Sequence, residues 1–310
     1  MILQGEIAAL IAACLWAIAS VFYGRLGTYI PPLQLNLIKG VVAIALFLVT
    51  ILLTGELYPN IPTLPLWLIL MSGIAGIGLG DTIFFKSINI LGARRALLMQ
   101  TLTPAMVATL SLIFLREDLS IFAWCGILLT ILGVAWVVTE RTPDDVNSQK
   151  INLKSGVGFG LLSAFASSVG AVLSRGALID TTDINVSPLW AALIRLSAGT
   201  IILIPLLKFQ SQVQTKVKQK VQKIEFYSLA KSPKFIVTVV FASFCGTYLG
   251  IWLQQAAIKF TAAGIASTLM QTSPIFVIPI TRMMGEKISF RAILGVAIAL
   301  SGIAVLFYRG

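Results

Sequence analysis

Apolar residues in this chain arrive in long unbroken blocks, and that feature constrains the fold more than any other. Ten blocks can be drawn, at roughly 5–24, 33–53, 65–90, 93–114, 120–139, 155–177, 188–207, 235–258, 262–283 and 289–308. A bilayer core about 30 Å thick is crossed by roughly 20 apolar residues in helical form. A chain in lipid must satisfy its own backbone, as helices or as a closed barrel, and the alternation of barrel strands is absent. Charged residues make up only 11% of the 310, far below the need of a soluble surface of this size. The sequence therefore predicts an all-α, polytopic membrane protein with ten transmembrane helices. Its expected location is the cell (plasma or inner) membrane, with the first span retained rather than cleaved as a signal.

The two halves resemble each other. Pro104 is followed by Glu117, Gly126 and Gly133; Pro274 is followed by Glu286, Gly295 and Gly302. Met99-Gln100-Thr101 and Met270-Gln271-Thr272 precede the two prolines, Gly76 and Gly80 match Gly246 and Gly250, and Lys39 matches Arg195. Such ordered repetition predicts a first five-helix copy over 1–140, a polar linker over 141–154 and a second copy over 155–310. Five spans per copy is odd, so the second copy lies inverted relative to the first. That architecture suits alternating access around a site near the midplane.

These segments, above all 87–137 and 257–306, resemble the drug/metabolite transporter superfamily and in particular its ten-helix EamA-type permeases. The likeness runs over nearly the whole chain. It departs at one turn, where the first copy has Arg116-Glu117 and the second Gly285-Glu286. The resemblance implies a secondary carrier, often an exporter of amino acids or other small metabolites, with a cavity lined by both halves. It leaves the substrate open, since the group also handles nucleotide sugars, phosphorylated sugars, purines and drugs.

Outside the spans, 16 of 20 lysines and arginines fall on the face that follows odd-numbered helices. The positive-inside rule then places both termini outside the cytoplasm, against the orientation usual for the relatives. Seven of those charges lie in 208–234, where Phe209, Val213, Val217 and Val221 recur every four residues. The pattern suits a basic amphipathic helix on an anionic leaflet; a solvated loop is the simpler alternative. Little aromatic interleaving supports nucleic-acid binding, so the expected partners are a small-molecule substrate and membrane lipids, with the monomer sufficient.

Within the spans, polar residues are few and therefore informative. Asp81 is the one acid clearly inside a span, either coupling transport to protons or binding an amine, or else forming a static ion pair with Lys39 or Lys86. Lys39 and Arg195, as a repeat-related pair of cations, suit an anionic substrate group; snorkelling anchors are the alternative. Gln100 and Gln271 stand one turn before Pro104 and Pro274, where each proline frees a backbone carbonyl. Trp16, Tyr248, Trp252 and Gln255 complete the candidate substrate-binding set, although Trp and Tyr also serve as interfacial anchors.

Histidine is absent and the cysteines, Cys14, Cys125 and Cys245, have no metal-ligand or disulfide spacing. No cofactor or metal is expected. An intramembrane enzyme would have almost no catalytic groups to use, and no P-loop provides for ATP drive. A secondary transporter leads, with an exchanger of phosphorylated anions as the alternative in the same class and a channel or scaffold in another.

Overall fold

The computed structural model describes residues 3–26, 29–57, 61–91, 99–138, 153–179, 186–213, 232–273, 275–276, 279 and 290–307. These residues are helical apart from short connections. In the first half run α1 (Gln4–Leu26), α2 (Pro32–Thr54), α3 (Thr63–Gly73), π1 (Ile74–Gly80), α4 (Asp81–Leu91), α5 (Thr103–Leu115) and α6 (Ile121–Val138). In the second run α7 (Leu153–Leu178), α8 (Pro188–Val213), α9 (Pro233–Ser243), π2 (Phe244–Leu249), α10 (Gly250–Phe260), α11 (Ala263–Met270) and α12 (Phe290–Phe307). α3–π1–α4 is one continuous rod, and so is α9–π2–α10. Counted in this way the described residues trace ten helical spans, six of them long and apolar enough to cross a bilayer unaided.

Prolines open α2, α8 and α9, and Pro104 is the second residue of α5. At a helix start the missing N–H would have had no partner in any case. α2 ends on Gly55 at φ 74°, whose N–H closes back on the Ile51 carbonyl. α5 ends the same way on Arg116 at φ 53°, a left-handed conformation that costs a residue with a Cβ about 1–2 kcal/mol. The second copy has Gly285 at the matching sequence position, so the departure seen in the sequence falls where the left-handed conformation of Arg116 would leave glycine unstrained.

Packing follows the internal repeat. α2 lies on α8 and α6 on α12, each helix against its own counterpart, and α5, from the fourth span of the first copy, lies on α11, from the fourth span of the second. The α3–π1–α4 rod packs on α7 and α8, and the α9–π2–α10 rod packs on α1 and α2. Exchanging the two copies maps this set of contacts onto itself, as a pseudo-two-fold axis requires. The α6–α12 crossing shows it atom by atom. A Cβ on Gly133 would stand 2.4 Å from the Ala299 nitrogen, and one on Gly302 would stand 2.5 Å from the Thr130 nitrogen. In lipid, where helices gain nothing from hiding apolar surface, such small residues allow the close approach that holds them together. Large apolar side chains on the outside, among them Leu53, Phe114, Ile201 and Val237, are more than 60% exposed, which suits hydrocarbon as the surrounding solvent.

Candidate functional site

π1 and π2 occupy equivalent places in the two rods, and they organise the centre of the molecule. A π-turn widens the helix by one residue and leaves carbonyls free for other donors. In π2 the Gly246 carbonyl accepts the Trp16 indole N–H at 2.8 Å. In π1 the Gly80 carbonyl accepts the Ser163 hydroxyl at 2.8 Å. Glycine is required on these surfaces by space. A Cβ on Gly73 would fall 2.1 Å from the Arg195 carbonyl oxygen, and one on Gly76 only 3.0 Å from its Nη2.

Asp81 is the first residue after π1. Lys39 Nζ stands 4.0 Å from Asp81 Oδ2, and Lys39, Arg195 and Asn36 all face the carboxylate. The repeat-related cations are each the eighth residue of α2 and α8, about 10 Å along the axis from the helix start. Although the two helices enter from opposite faces, both cations are brought to the same acid. Asn36 lies three residues before Lys39, on the same face of α2. Arg195 is 4% exposed and donates from Nη1 to Gln254 Oε1 at 2.9 Å. Lys86 points elsewhere, over the Phe159 ring at 5.8 Å, so Lys39 is the partner that the structure gives Asp81.

Two formal positive charges against one negative leave this cluster with an excess of one. Asp81 and Lys39 keep 37% and 23% of their side-chain surface accessible. The acid is therefore partly accessible instead of being sealed in protein. Lys39 Nζ also lies 5.6 Å from the Tyr23 ring centroid, an attraction that survives when the ion pair is loose.

Gln100 sits next to this cluster through hydrogen bonds. The chain turns at Thr101–Leu102 before α5, and again at Gln271–Thr272 after α11. Pro104 cannot donate to the carbonyl four residues back, and that carbonyl, Gln100 O, instead accepts Gln271 Nε2 at 3.0 Å. Gln100 Nε2 donates to Ser163 Oγ at 2.8 Å, and Ser163 passes the bond on to Gly80. Pro274 lies outside the described residues.

The remaining sequence candidates are placed in packing. Tyr248 is 7% exposed, bonds Thr50 through its hydroxyl at 2.6 Å and stacks edge-on to Phe47; Trp252 lies beyond it, 5.9 Å between ring centroids. Gln255 is fully buried and accepts the Ser174 hydroxyl. Sequence reasoning missed Asn36. The signal for it was available: an asparagine one helical turn from an intramembrane lysine.

A second polar cluster closes the face that carries the N-terminus. Arg175, at the end of α7, pairs with Glu117 in the α5–α6 turn. The same guanidinium donates to the Ile258 and Lys259 carbonyls at the end of α10, each at 2.6 Å. Glu117 also accepts the Ala263 N–H that opens α11, at 3.1 Å. One ion pair thus ties the first copy's turn to three helices of the second. The basic segment proposed as an amphipathic helix lies, over 214–231, outside the described residues.

Comparison with known proteins follows the same outline. The sequence profile of the EamA-like transporter family matches residues 3–139 and again residues 154–308. A solved structure described only as "Crystal structure of protein" superposes with a TM-score of 0.75, covering 98% of this chain and 96% of that one, at 15% identity. At that identity the likeness concerns the fold. No curated protein matches.

Proposed function

The chain belongs to the EamA-like transporter family of the drug/metabolite transporter superfamily; from that premise we propose that it is a secondary active exporter of small carboxylate-bearing metabolites, such as amino acids, working by alternating access. It is an integral membrane transporter and not an enzyme. The observation that carries the finer reading is the meeting of Lys39 and Arg195, one from each copy, at Asp81. A site built from equivalent positions of two inverted copies is reachable from either side when the copies rock against each other. Copies spanning 1–140 and 155–310, joined by 141–154, are the moving bodies. The Glu117–Arg175 cluster closes one face, which the charge bias assigns to the outside.

Two cations also favour the alternative, an exchanger of phosphorylated anions. Asp81 weighs against it, because it leaves the cluster an excess of one positive charge, which a monoanion neutralises and a dianion overcompensates. The test is uptake and counterflow in proteoliposomes with labelled amino acids and sugar phosphates, with and without a pH gradient. Gradient-driven, saturable flux of a carboxylate compound supports the exporter. Strict phosphate exchange indifferent to pH supports the alternative, and ohmic conductance would reject a carrier of either kind.

A further inference from the structure

We propose that the substrate is recognised through a single carboxylate seated between the Arg195 guanidinium and the Asn36 amide, and that recognition does not need an ammonium group. The inference rests on the transport reading above and narrows its substrate class. It starts from two orphaned donors. Arg195 Nε and Asn36 Nδ2 are buried without any hydrogen-bond partner, on residues that are 4% and 2% exposed. A buried donor left unpaired is destabilising, and more so when it is charged. Both face Asp81, the Asn36 amide as an immediate neighbour of its carboxylate, yet neither donor atom meets hydrogen-bond geometry with it; they mark a place built for an acceptor that is not part of the chain.

The chemistry of that acceptor follows from what is already taken. Gln254 Oε1 is engaged by Arg195 Nη1, and Asp81 by Lys39. What remains unsatisfied in the buried part of the cluster is donor capacity, so the group missing there is an oxygen acceptor. The excess of one positive charge is neutralised by one negative charge. A carboxylate fits both requirements, since its two oxygens match the fork of a guanidinium and a neighbouring amide. An ammonium group would face the two cations Lys39 and Arg195 against one acid, which Lys39 already neighbours at 4.0 Å. Gly76 keeps the space around the guanidinium, where a Cβ would crowd Nη2.

The experiment is binding to the purified full chain in nanodiscs, by titration calorimetry, using matched sets. Leucine, 4-methylpentanoate and 3-methylbutylamine form one set; phenylalanine, 3-phenylpropanoate and 2-phenylethylamine form the other. The expected result is that, in at least one set, the deaminated acid binds within about threefold of the amino acid, while the amine is at least about tenfold weaker. Asn36→Asp sets a like charge where the carboxylate sits, and Arg195→Lys keeps the charge but removes Nε. Each is expected to weaken the acid at least about tenfold, and Asn36→Ala gives a neutral check that the loss follows the donor. Amine binding as tight as acid binding would overturn the proposal. So would unchanged acid affinity in the folded variants, or no acid binding by protein that exchanges solutes in proteoliposomes. Acid binding by a protein that shows only ohmic conductance would overturn the carrier reading and leave this one standing.

Discussion

Asp81 and Lys39 meet at 4.0 Å across α2 and the π1–α4 junction, at the limit of ion-pair contact and with both side chains partly accessible. A pair so loose and so wetted contributes under about 1 kcal/mol to stability. Insertion of either charge into a bilayer costs about 2.5–3.5 kcal/mol. The contact is thus too weak to justify both charges as a strut between helices, and their retention points to work done during transport.

Asp81→Asn is therefore expected to fold with a melting temperature close to wild type. It should retain substrate counterflow in proteoliposomes but lose accumulation driven by a pH gradient, because asparagine cannot take up and release a proton. Measuring both fluxes in one preparation decides the point. Gradient-driven accumulation at the wild-type level would make Asp81 a static partner of Lys39.

Arg175 behaves differently, because its pair with Glu117 is nearly enclosed, at 15% and 12% exposure. Arg175→Ala strands the Glu117 charge and uncovers the Ile258 and Lys259 carbonyls together. Breaking a buried pair from one side costs about 3–5 kcal/mol, so a large fall in the melting temperature in detergent is expected. Glu117→Gln keeps an acceptor for Arg175 and for the Ala263 N–H, and should cost clearly less. Equal losses in the two variants would mean that the turn serves only as a packing contact.

How far the sequence revealed this arrangement depends on the kind of force involved. The spans, the repeat and the prolines at helix starts were legible, because bilayer thickness and backbone satisfaction act on every residue alike. Asp81, Lys39 and Arg195 stood out for the same reason, being charges where charges are expensive. That both cations reach one acid could not be read, since it depends on how the inverted copies dock. π1 and π2 were invisible too; the glycine pairs Gly76/Gly80 and Gly246/Gly250 marked their places, but side chains from α7 and α1 complete them. Tyr248 and Gln255 have the chemistry of ligand-binding groups; a neighbouring helix already engages the Tyr248 hydroxyl, whereas Gln255 accepts from Ser174 and keeps a buried Nε2 without a partner. Residue type alone does not separate those two outcomes.

Arg116 offers a local test of the repeat. It caps α5 at φ 53° with an exposed side chain, while the second copy has Gly285 at the matching sequence position. Arg116→Gly removes the left-handed strain and loses no buried contact. Against that stands the greater freedom of glycine in the unfolded chain, so a net gain of about 0.5–1 kcal/mol is expected. A rise in the melting temperature with unchanged transport is the predicted result. A fall would mean that the Arg116 side chain holds something the backbone strain does not reveal.

The α6–α12 crossing tests the two-fold relation itself. Gly133→Ala would bring a methyl to 2.4 Å from the Ala299 nitrogen and 2.7 Å from the Gly295 carbonyl oxygen. Gly302→Ala would do the same against Thr130 and Gly126, at 2.5 Å and 2.9 Å. Backbone atoms, which cannot rotate aside, stand in the way at both sites, joined at Gly302 by the Thr130 hydroxyl, so each change must push the helices apart, at about 1–3 kcal/mol. Gly55→Ala is not a suitable control, being strained by its own φ of 74° with nothing near it. The two crossing variants relieve the same contact from opposite sides. Once one methyl has separated the helices, the other finds space already open, so the double variant should lose less than the sum of the singles. Because the sites are symmetry mates, the singles should also agree with each other within about 0.5 kcal/mol. Strict additivity in thermal unfolding, or one single far costlier than the other, would show that the crossing does not act as one symmetric contact.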